Sequence, residues 1–168
     1  AWQAPTRSVV DYFIPAGLIA AMAGSLLSML SRRQLLYAFG AMFLSSLLYT
    51  LNLTRGISFG VCWPVPLTLL VIGLVVLGII WSRLEELRWP VCTMLTMTLV
   101  MCWAASLQYF SHQTDETLSL MAGADLLLLA HICGLVSLFR RRFAGDRAIC
   151  EALFIIGHFM IVRSLWVF

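Results

Sequence analysis

Long apolar stretches with few or no charged side chains determine what this chain can fold into. Six stretches have about the 20 residues that an α-helix needs to cross the hydrocarbon core of a bilayer. They cover approximately residues 12–31, 35–54, 64–82, 91–110, 118–139 and 149–168. Only 11% of the 168 residues are charged, whereas soluble domains are about one quarter charged. The apolar stretches are continuous rather than alternating, which excludes a closed β-barrel. The sequence therefore predicts an all-α polytopic transmembrane helix bundle with about six spans.

The basic residues predict how the bundle is oriented in the membrane. All eleven are arginines, and eight of them lie at one side of the predicted spans: Arg32, Arg33, Arg83, Arg88, Arg140, Arg141, Arg142 and Arg147. The opposite side carries only Arg7 and Arg55, and Arg163 lies within the last predicted span. The positive-inside rule therefore predicts that the side with eight arginines faces the cytoplasm. The net charge of +3 is small and confined mainly to loops, so no nucleic-acid partner is expected.

The loops between the spans are short, so we expect one transmembrane domain over residues 1–168, with any functional site formed between helices. Residues 2–5 resemble the end of an earlier apolar segment, which predicts one or two further spans upstream. The five cysteines have irregular spacing and no CxxC pair, and they are interpreted as buried apolar side chains. The sequence has no metal-binding or cofactor-binding motif, so neither a metal ion nor a cofactor is predicted.

Polar residues within the last two spans are the first candidates for a site, because an ionisable group inside a membrane usually faces the bundle interior and has a partner. Asp125 and Arg163 lie at matching depths along antiparallel helices, as do His131 and His158. The first pair is either a structural ion pair or a contact with a substrate. The two histidines are either hydrogen-bonded core residues or proton-transfer groups. Glu151 is interpreted as a solvated or paired residue at a helix start.

Small and hydroxyl-bearing residues are concentrated in the first two spans and recur in the fourth. The expected role of these residues is close helix packing, with the hydroxyl groups bonded to backbone carbonyls. The set comprises Gly17, Gly24, Ser25, Ser28, Gly40, Ser45, Ser46 and Thr50, together with Thr93, Thr96, Thr98 and Ser106.

Several segments together resemble a known family. They are GSLLSMLSRRQLLYAFGAMFLSSLLYT (24–50), FGVCWPVPLTLL (59–70), IIWSRLEELRWPVCTMLTMTLVM (79–101), MAGADLLLLA (121–130), RRRF (140–143) and GHFMIVRSLW (157–166). This pattern resembles the lysoplasmalogenase-like family of bacterial YhhN membrane proteins, whose eukaryotic relatives hydrolyse lysoplasmalogen. The resemblance implies a bundle of about eight helices in the full family fold and a location in the bacterial inner membrane.

The chain departs from the polar signature of that family at three positions. Where the family has a Gly-Asp pair, this chain has Gly24 followed by Ser25. Where the family has a histidine three residues before a tyrosine, this chain has Ser46 before Tyr49. Where the family has a Ser-Asp pair, this chain has Ala130 followed by His131.

The resemblance implies cleavage of the vinyl-ether bond of a lysophospholipid, which yields an aldehyde and a glycerophospho-alcohol. Such a reaction needs groups that protonate the alkene and activate water. Asp125, His131 and His158 are the titratable candidates for catalysis. Ser25, Ser46, Tyr49 and Arg163 are the candidates for substrate binding.

The expected partners are a lysophospholipid or another membrane lipid, and the bilayer itself. Two alternatives remain at this point: a non-catalytic lipid-binding or structural protein that has lost the acidic residues of the family, and a small transporter or channel.

One layer of the bundle is predicted to contain the site. Counted from the arginine-rich ends of their spans, Ser25, Ser46, His131 and His158 fall within a layer about 8 Å thick. We therefore predict a cavity that is lined by at least three of these four residues.

The predicted orientation can be tested by labelling single cysteines introduced into a cysteine-free background. Cysteines that replace Arg32, Arg88 and Arg141 are expected to react only from the cytoplasmic side, and cysteines that replace Arg55 and Asp115 only from the outside. The opposite labelling pattern would overturn the assignment.

Overall fold

The protein is α-helical throughout the part of the chain that the computed structural model describes, which comprises residues 12–30, 32–54, 63–140 and 145–164. The six helices are α1 (Phe13–Leu30), α2 (Leu35–Leu53), α3 (Pro64–Ile80), α4 (Arg88–His112), α5 (Asp115–Phe139) and α6 (Asp146–Arg163). Short 3₁₀ turns precede α2 at Arg32–Gln34 and join α3 to α4 at Trp81–Arg83 and Glu85–Leu87.

The helices confirm the all-α polytopic bundle predicted from the sequence, with one difference. Five helices are long and apolar enough to cross a membrane, and these are α1 to α5. The sixth predicted span corresponds to α6, which has 18 residues but carries charged side chains at both ends. Asp146, Arg147 and Glu151 lie in its first two turns, and Arg163 is its last residue. Because of these four charged residues, α6 is less apolar than the five helices that could cross a membrane.

Some predictions concern parts of the chain outside the described residues. These are the upstream apolar segment at residues 2–5, the positions of Arg7, Arg55, Arg141 and Arg142, and the last four residues of the sixth predicted span, 165–168.

Helix α4 lies at the centre of the bundle. It packs against α2, α3 and α5, whereas α1 packs mainly on α2, and α6 on α5. Its buried side chains include Met94, Met101 and Cys102. Polar contacts fix its position, since Gln108 Nε2 donates to the carbonyl oxygen of Leu53 at 2.8 Å. Helix α3 lies at the periphery, and most of its side chains are exposed, as expected for a helix facing lipid.

Two glycines allow α5 and α6 to approach closely. A Cβ atom added to Gly123 would lie 2.8 Å from the carbonyl oxygen of Gly157, and one added to Gly157 would lie 3.0 Å from the carbonyl oxygen of Gly123. Such contacts between small residues are a main source of helix association in membranes, where lipid tails are as apolar as the side chains. The crossing also fixes the position of His158, which follows Gly157 directly.

Specific residues end α4 and begin α5. Gln113 has a left-handed conformation, with φ of 50°, and its backbone N–H donates to the carbonyl oxygen of Tyr109. Thr114 then caps α5, because its hydroxyl accepts from the N–H of Thr117 while the hydroxyl of Thr117 accepts from the N–H of Thr114. Such a reciprocal arrangement satisfies two backbone donors that would otherwise lack partners. The turn makes α4 and α5 a tight helical hairpin.

The glycine crossing generates a stability prediction with a control on the same helix. Replacing Gly123 by alanine is expected to lower the free energy of unfolding by about 1 to 3 kcal/mol, because the added methyl group meets backbone that must move. Nothing lies within 4 Å of a Cβ atom on Gly134, so Gly134→Ala is expected to leave stability unchanged or raise it slightly. Thermal denaturation in detergent provides the measurement, and equal effects of the two substitutions would contradict the close crossing.

Candidate functional site

A large pocket opens at the end of the bundle that carries most of the arginines. It has a volume of about 430 Å³ and lies between the C-terminal ends of α1 and α5 and the N-terminal ends of α2 and α6. Polar side chains lie around it, including Ser25, Ser28, Ser137, Asp146, Arg147 and Glu151. Apolar side chains, among them Phe39, Met94 and Leu135, form its walls. The pocket therefore combines a charged region with an apolar interior.

A much smaller cavity lies deeper in the bundle, and we call it the inner cavity. Its volume is about 10 Å³, and its lining residues are Ala21, Met42, Ser45, Ser46, Tyr49, Leu127, His131, Phe154 and His158. Three residues, Met42, His131 and Phe154, also line the large pocket. Only these side chains are shared, so they form the wall between the two spaces.

The two histidines of the inner cavity are buried, with 9% of His131 and 6% of His158 exposed. The Nδ1 atom of His158 lies 2.8 Å from the carbonyl oxygen of Phe154, and the Nδ1 atom of His131 lies 3.4 Å from the hydroxyl of Thr98. The Nε2 atoms of both rings are buried and have no hydrogen-bond partner within the described part of the chain. Each histidine is thus held at one ring nitrogen and free at the other.

Aromatic rings surround these histidines. The ring centroids of Phe154 and His158 are 4.3 Å apart, and those of Tyr49 and His158 are 5.8 Å apart. The hydroxyl of Tyr49 lies near the side chain of Ser45 but outside hydrogen-bond geometry, and no other described residue provides a partner. Tyr49 is held against α1 by Gly17, where a Cβ atom would lie 2.7 Å from the tyrosine ring.

Thr98 also belongs to this cluster, although the sequence predicted only a helix-packing role for it. Its hydroxyl donates to the carbonyl oxygen of Met94 at 3.0 Å, as predicted for hydroxyl groups in the spans. The same oxygen also lies 3.3 Å from the hydroxyl of Ser46 and 3.4 Å from Nδ1 of His131. Its depth in the membrane is the one signal in the sequence that could have identified it. Thr98 lies about seven residues into its predicted span, at the same depth as His131.

The structure brings together most of the residues in the predicted layer. Ser46, His131 and His158 all line the inner cavity. Ser25 is half-buried and lines the large pocket instead. Tyr49 joins the inner cavity. Glu151 is half-buried and lines the large pocket near the start of α6.

Asp125 and Arg163 do not join this cluster. Both side chains are exposed on the surface of the described bundle, and neither lines the large pocket or the inner cavity. No ion pair between these two residues is recorded among the described residues. Their matched depth was the reason for predicting a pair, but depth does not fix the direction in which a helical side chain points.

Within the described ranges, no group of three or more histidine, cysteine, aspartate or glutamate side chains is arranged so that it could bind a metal ion. The chemically active groups that line the inner cavity are the imidazoles of His131 and His158, the phenol of Tyr49 and the hydroxyl groups of Ser45 and Ser46.

Comparison with known proteins identifies the family. A family model described as the YhhN family matches residues 1–165. The chain belongs to the YhhN family. The resemblance noted in the sequence is thereby confirmed at the level of the family.

Relatives in the YhhN family are bacterial membrane proteins. The chain is 48% identical over 166 residues to the membrane protein YhhN of Escherichia coli O6:H1, and equally to those of Escherichia coli O157:H7 and Shigella flexneri. Each alignment covers 99% of this chain and 80% of the relative. No solved structure matches the chain. Together with the apolar helices, these relatives indicate a multi-pass protein of the bacterial inner membrane.

The exposure of Asp125 and Arg163 generates a prediction for a double-mutant cycle. Asp125→Asn and Arg163→Gln are expected to have additive effects on the free energy of unfolding, with a coupling below about 0.5 kcal/mol. A buried ion pair would instead make each single substitution cost about 3 to 5 kcal/mol. Thermal denaturation of the two single variants and the double variant provides the measurement, and a large coupling would show that the two side chains meet.

Proposed function

We propose that this protein is a membrane-embedded hydrolase that cleaves the vinyl-ether bond of a lysophospholipid, with His131 and His158 as the proton-transfer groups. Membership of the YhhN family supports the reaction class, through the resemblance to lysoplasmalogenases. The arrangement of the two histidines supports the choice of residues.

The observation that carries this proposal is the position of His131. Its ring forms part of the wall of the large pocket and part of the wall of the inner cavity, and its Nε2 atom has no partner among the described residues. The imidazole of His131 would therefore lie at the boundary between a substrate in the pocket and the inner cavity, which His158 also lines. General acid and base groups must reach the reacting atoms in this way.

The large pocket suits a lysophospholipid in size and character. Ligand sites of this kind have volumes of about 300 to 1,000 Å³ and are lined mainly by apolar side chains, and the pocket has about 430 Å³. Arg147 and Glu151 would face the polar end of the lipid, and Phe39 and Leu135 would pack along its chain. Ser25 also lines the pocket and would contact the glycerol backbone.

The reaction then needs one water molecule and two proton transfers. A protonated imidazole gives its proton to the outer alkene carbon, and this leaves an oxocarbenium ion at the carbon bonded to oxygen. Water adds to that carbon and loses a proton to the second imidazole, which forms a hemiacetal. Collapse of the hemiacetal breaks its bond to the glycerol oxygen: its hydroxyl group loses a proton as the aldehyde forms, and the glycerol oxygen takes up a proton. One water is consumed, and the histidine pair carries one proton in total, as it did at the start.

Release of fatty aldehyde from a lysoplasmalogen by the purified protein tests the proposal. His131→Gln is expected to lower kcat by about 10²-fold or more, because general acid–base groups contribute about 10² to 10⁴-fold to a rate. His158→Gln is expected to have a similar effect. His112→Gln is the matched control, since His112 is exposed at the far end of α4 and should leave kcat unchanged.

A lysophospholipid with a saturated ether chain provides the substrate control, because it has no alkene to protonate and should release no aldehyde. A parent protein that releases no aldehyde would reject the hydrolase proposal.

The alternative, a lipid-binding protein without catalysis, is favoured by one observation: among the residues that the structure describes, no carboxylate lines the inner cavity. It predicts that lysophospholipid binds without turnover. It also predicts that the triple substitution Ser25→Asp, Ser46→His and His131→Asp, which introduces the polar signature of the family, yields aldehyde release where the parent has none. The hydrolase proposal predicts turnover by the parent itself.

A further inference from the structure

We propose that the inner cavity holds one structural water molecule, bound between Nε2 of His131 and Nε2 of His158, and that Thr98 is the positioning residue that directs His131 toward it. This inference rests on hydrogen-bond geometry and does not depend on the proposed hydrolysis.

The protonation of His158 follows from its partner. A backbone carbonyl can only accept a hydrogen bond, so the Nδ1 atom of His158, 2.8 Å from the carbonyl oxygen of Phe154, must carry a proton. A neutral imidazole has one N–H group and one acceptor nitrogen. In the neutral form of His158, Nε2 is therefore an acceptor that faces the cavity.

Thr98 imposes the same tautomer on His131. The single hydroxyl proton of Thr98 is donated to the carbonyl oxygen of Met94 at 3.0 Å, which leaves the two lone pairs of that oxygen as acceptors. One of them accepts from Nδ1–H of His131 at 3.4 Å, which is long for such a bond. The other accepts from the hydroxyl of Ser46 at 3.3 Å. In neutral His131, Nε2 is then an acceptor as well.

One water satisfies every unpartnered polar atom that lines the inner cavity. The buried side-chain atoms without partners there are Nε2 of His131, Nε2 of His158 and the hydroxyl of Tyr49. A water molecule can donate one hydrogen to each imidazole and accept the hydroxyl proton of Tyr49. The cavity volume of about 10 Å³ is close to the minimum for one water, and a buried water typically makes about three hydrogen bonds.

The two acceptor nitrogens favour a bridging water over a direct hydrogen bond between the rings. Two neutral imidazoles that both present acceptor nitrogens cannot bond to each other, because neither has a proton to offer at Nε2. A buried polar atom without a hydrogen-bond partner is destabilising, and three such atoms surround the cavity. A donor of two hydrogens is needed, and water is the smallest molecule that supplies both.

Nuclear magnetic resonance of protein labelled with ¹⁵N at histidine, reconstituted in bilayers, tests the inference. At a pH where both rings are neutral, we expect Nδ1 of His131 and of His158 to be protonated and both Nε2 atoms to be unprotonated. Magnetisation transfer from water to the Nε2 atoms should be observed. An Nε2–H tautomer at either ring in the parent protein, or no transfer from water, would overturn the water site.

Substitutions on α4 test the role of Thr98 separately. Thr98→Val removes the hydroxyl at nearly constant volume and is expected to convert His131 from one tautomer to a mixture of two, while His158 keeps its signals. Thr98→Ser restores the hydroxyl and should restore the single tautomer.

Thr93 provides the control, because its exposed hydroxyl bonds only to backbone carbonyls, so Thr93→Val should change neither histidine. If Thr98→Val folds and His131 remains a single Nδ1–H tautomer, Thr98 has no positioning role. If Thr98→Val does not fold, the serine variant decides: loss of the single tautomer in folded Thr98→Ser would overturn the role, and its retention would support it.

Discussion

The close contact between α5 and α6 is the constraint on which the site depends. Hydrophobic burial gives helices little reason to associate inside a membrane, so the approach of one backbone to another must supply the energy. Gly123 and Gly157 allow that approach. His158 follows Gly157, and His131 lies about two turns after Gly123 along α5. The crossing therefore places both imidazoles in one layer and leaves only a small space between them.

The sequence predicted the helices well because the physics of a bilayer leaves few alternatives. Apolar stretches of the required length must be helical to satisfy their backbone groups, and the six helices lie where the hydropathy pattern indicates. Depth along a helix is also simple to count, which is why Ser46, His131 and His158 were expected in one layer and meet at one cavity.

Direction around a helix was harder to predict. Asp125 and Arg163 have the same depth, yet they face away from the described core, because rotation depends on which face packs against a neighbour. Thr98 was overlooked for another reason. A hydrogen bond to the backbone of its own helix was expected for its hydroxyl group, so no further partner was sought for it. Its contacts with His131 and Ser46 depend on how three helices pack together.

Unequal helix lengths have a consequence for the surrounding bilayer. At about 1.5 Å per residue, the 25 residues of α4 and of α5 extend about 37 Å, whereas the 19 residues of α2 extend about 28 Å. The hydrocarbon core is about 30 Å thick, so the longer hairpin must tilt or project into water at its tip. The polar residues at that tip, from Ser111 to Glu116, suit projection on the side away from the large pocket. Lipids beside α2 would then meet a shorter apolar surface than lipids beside α4, and the membrane would thin locally around one side of the protein.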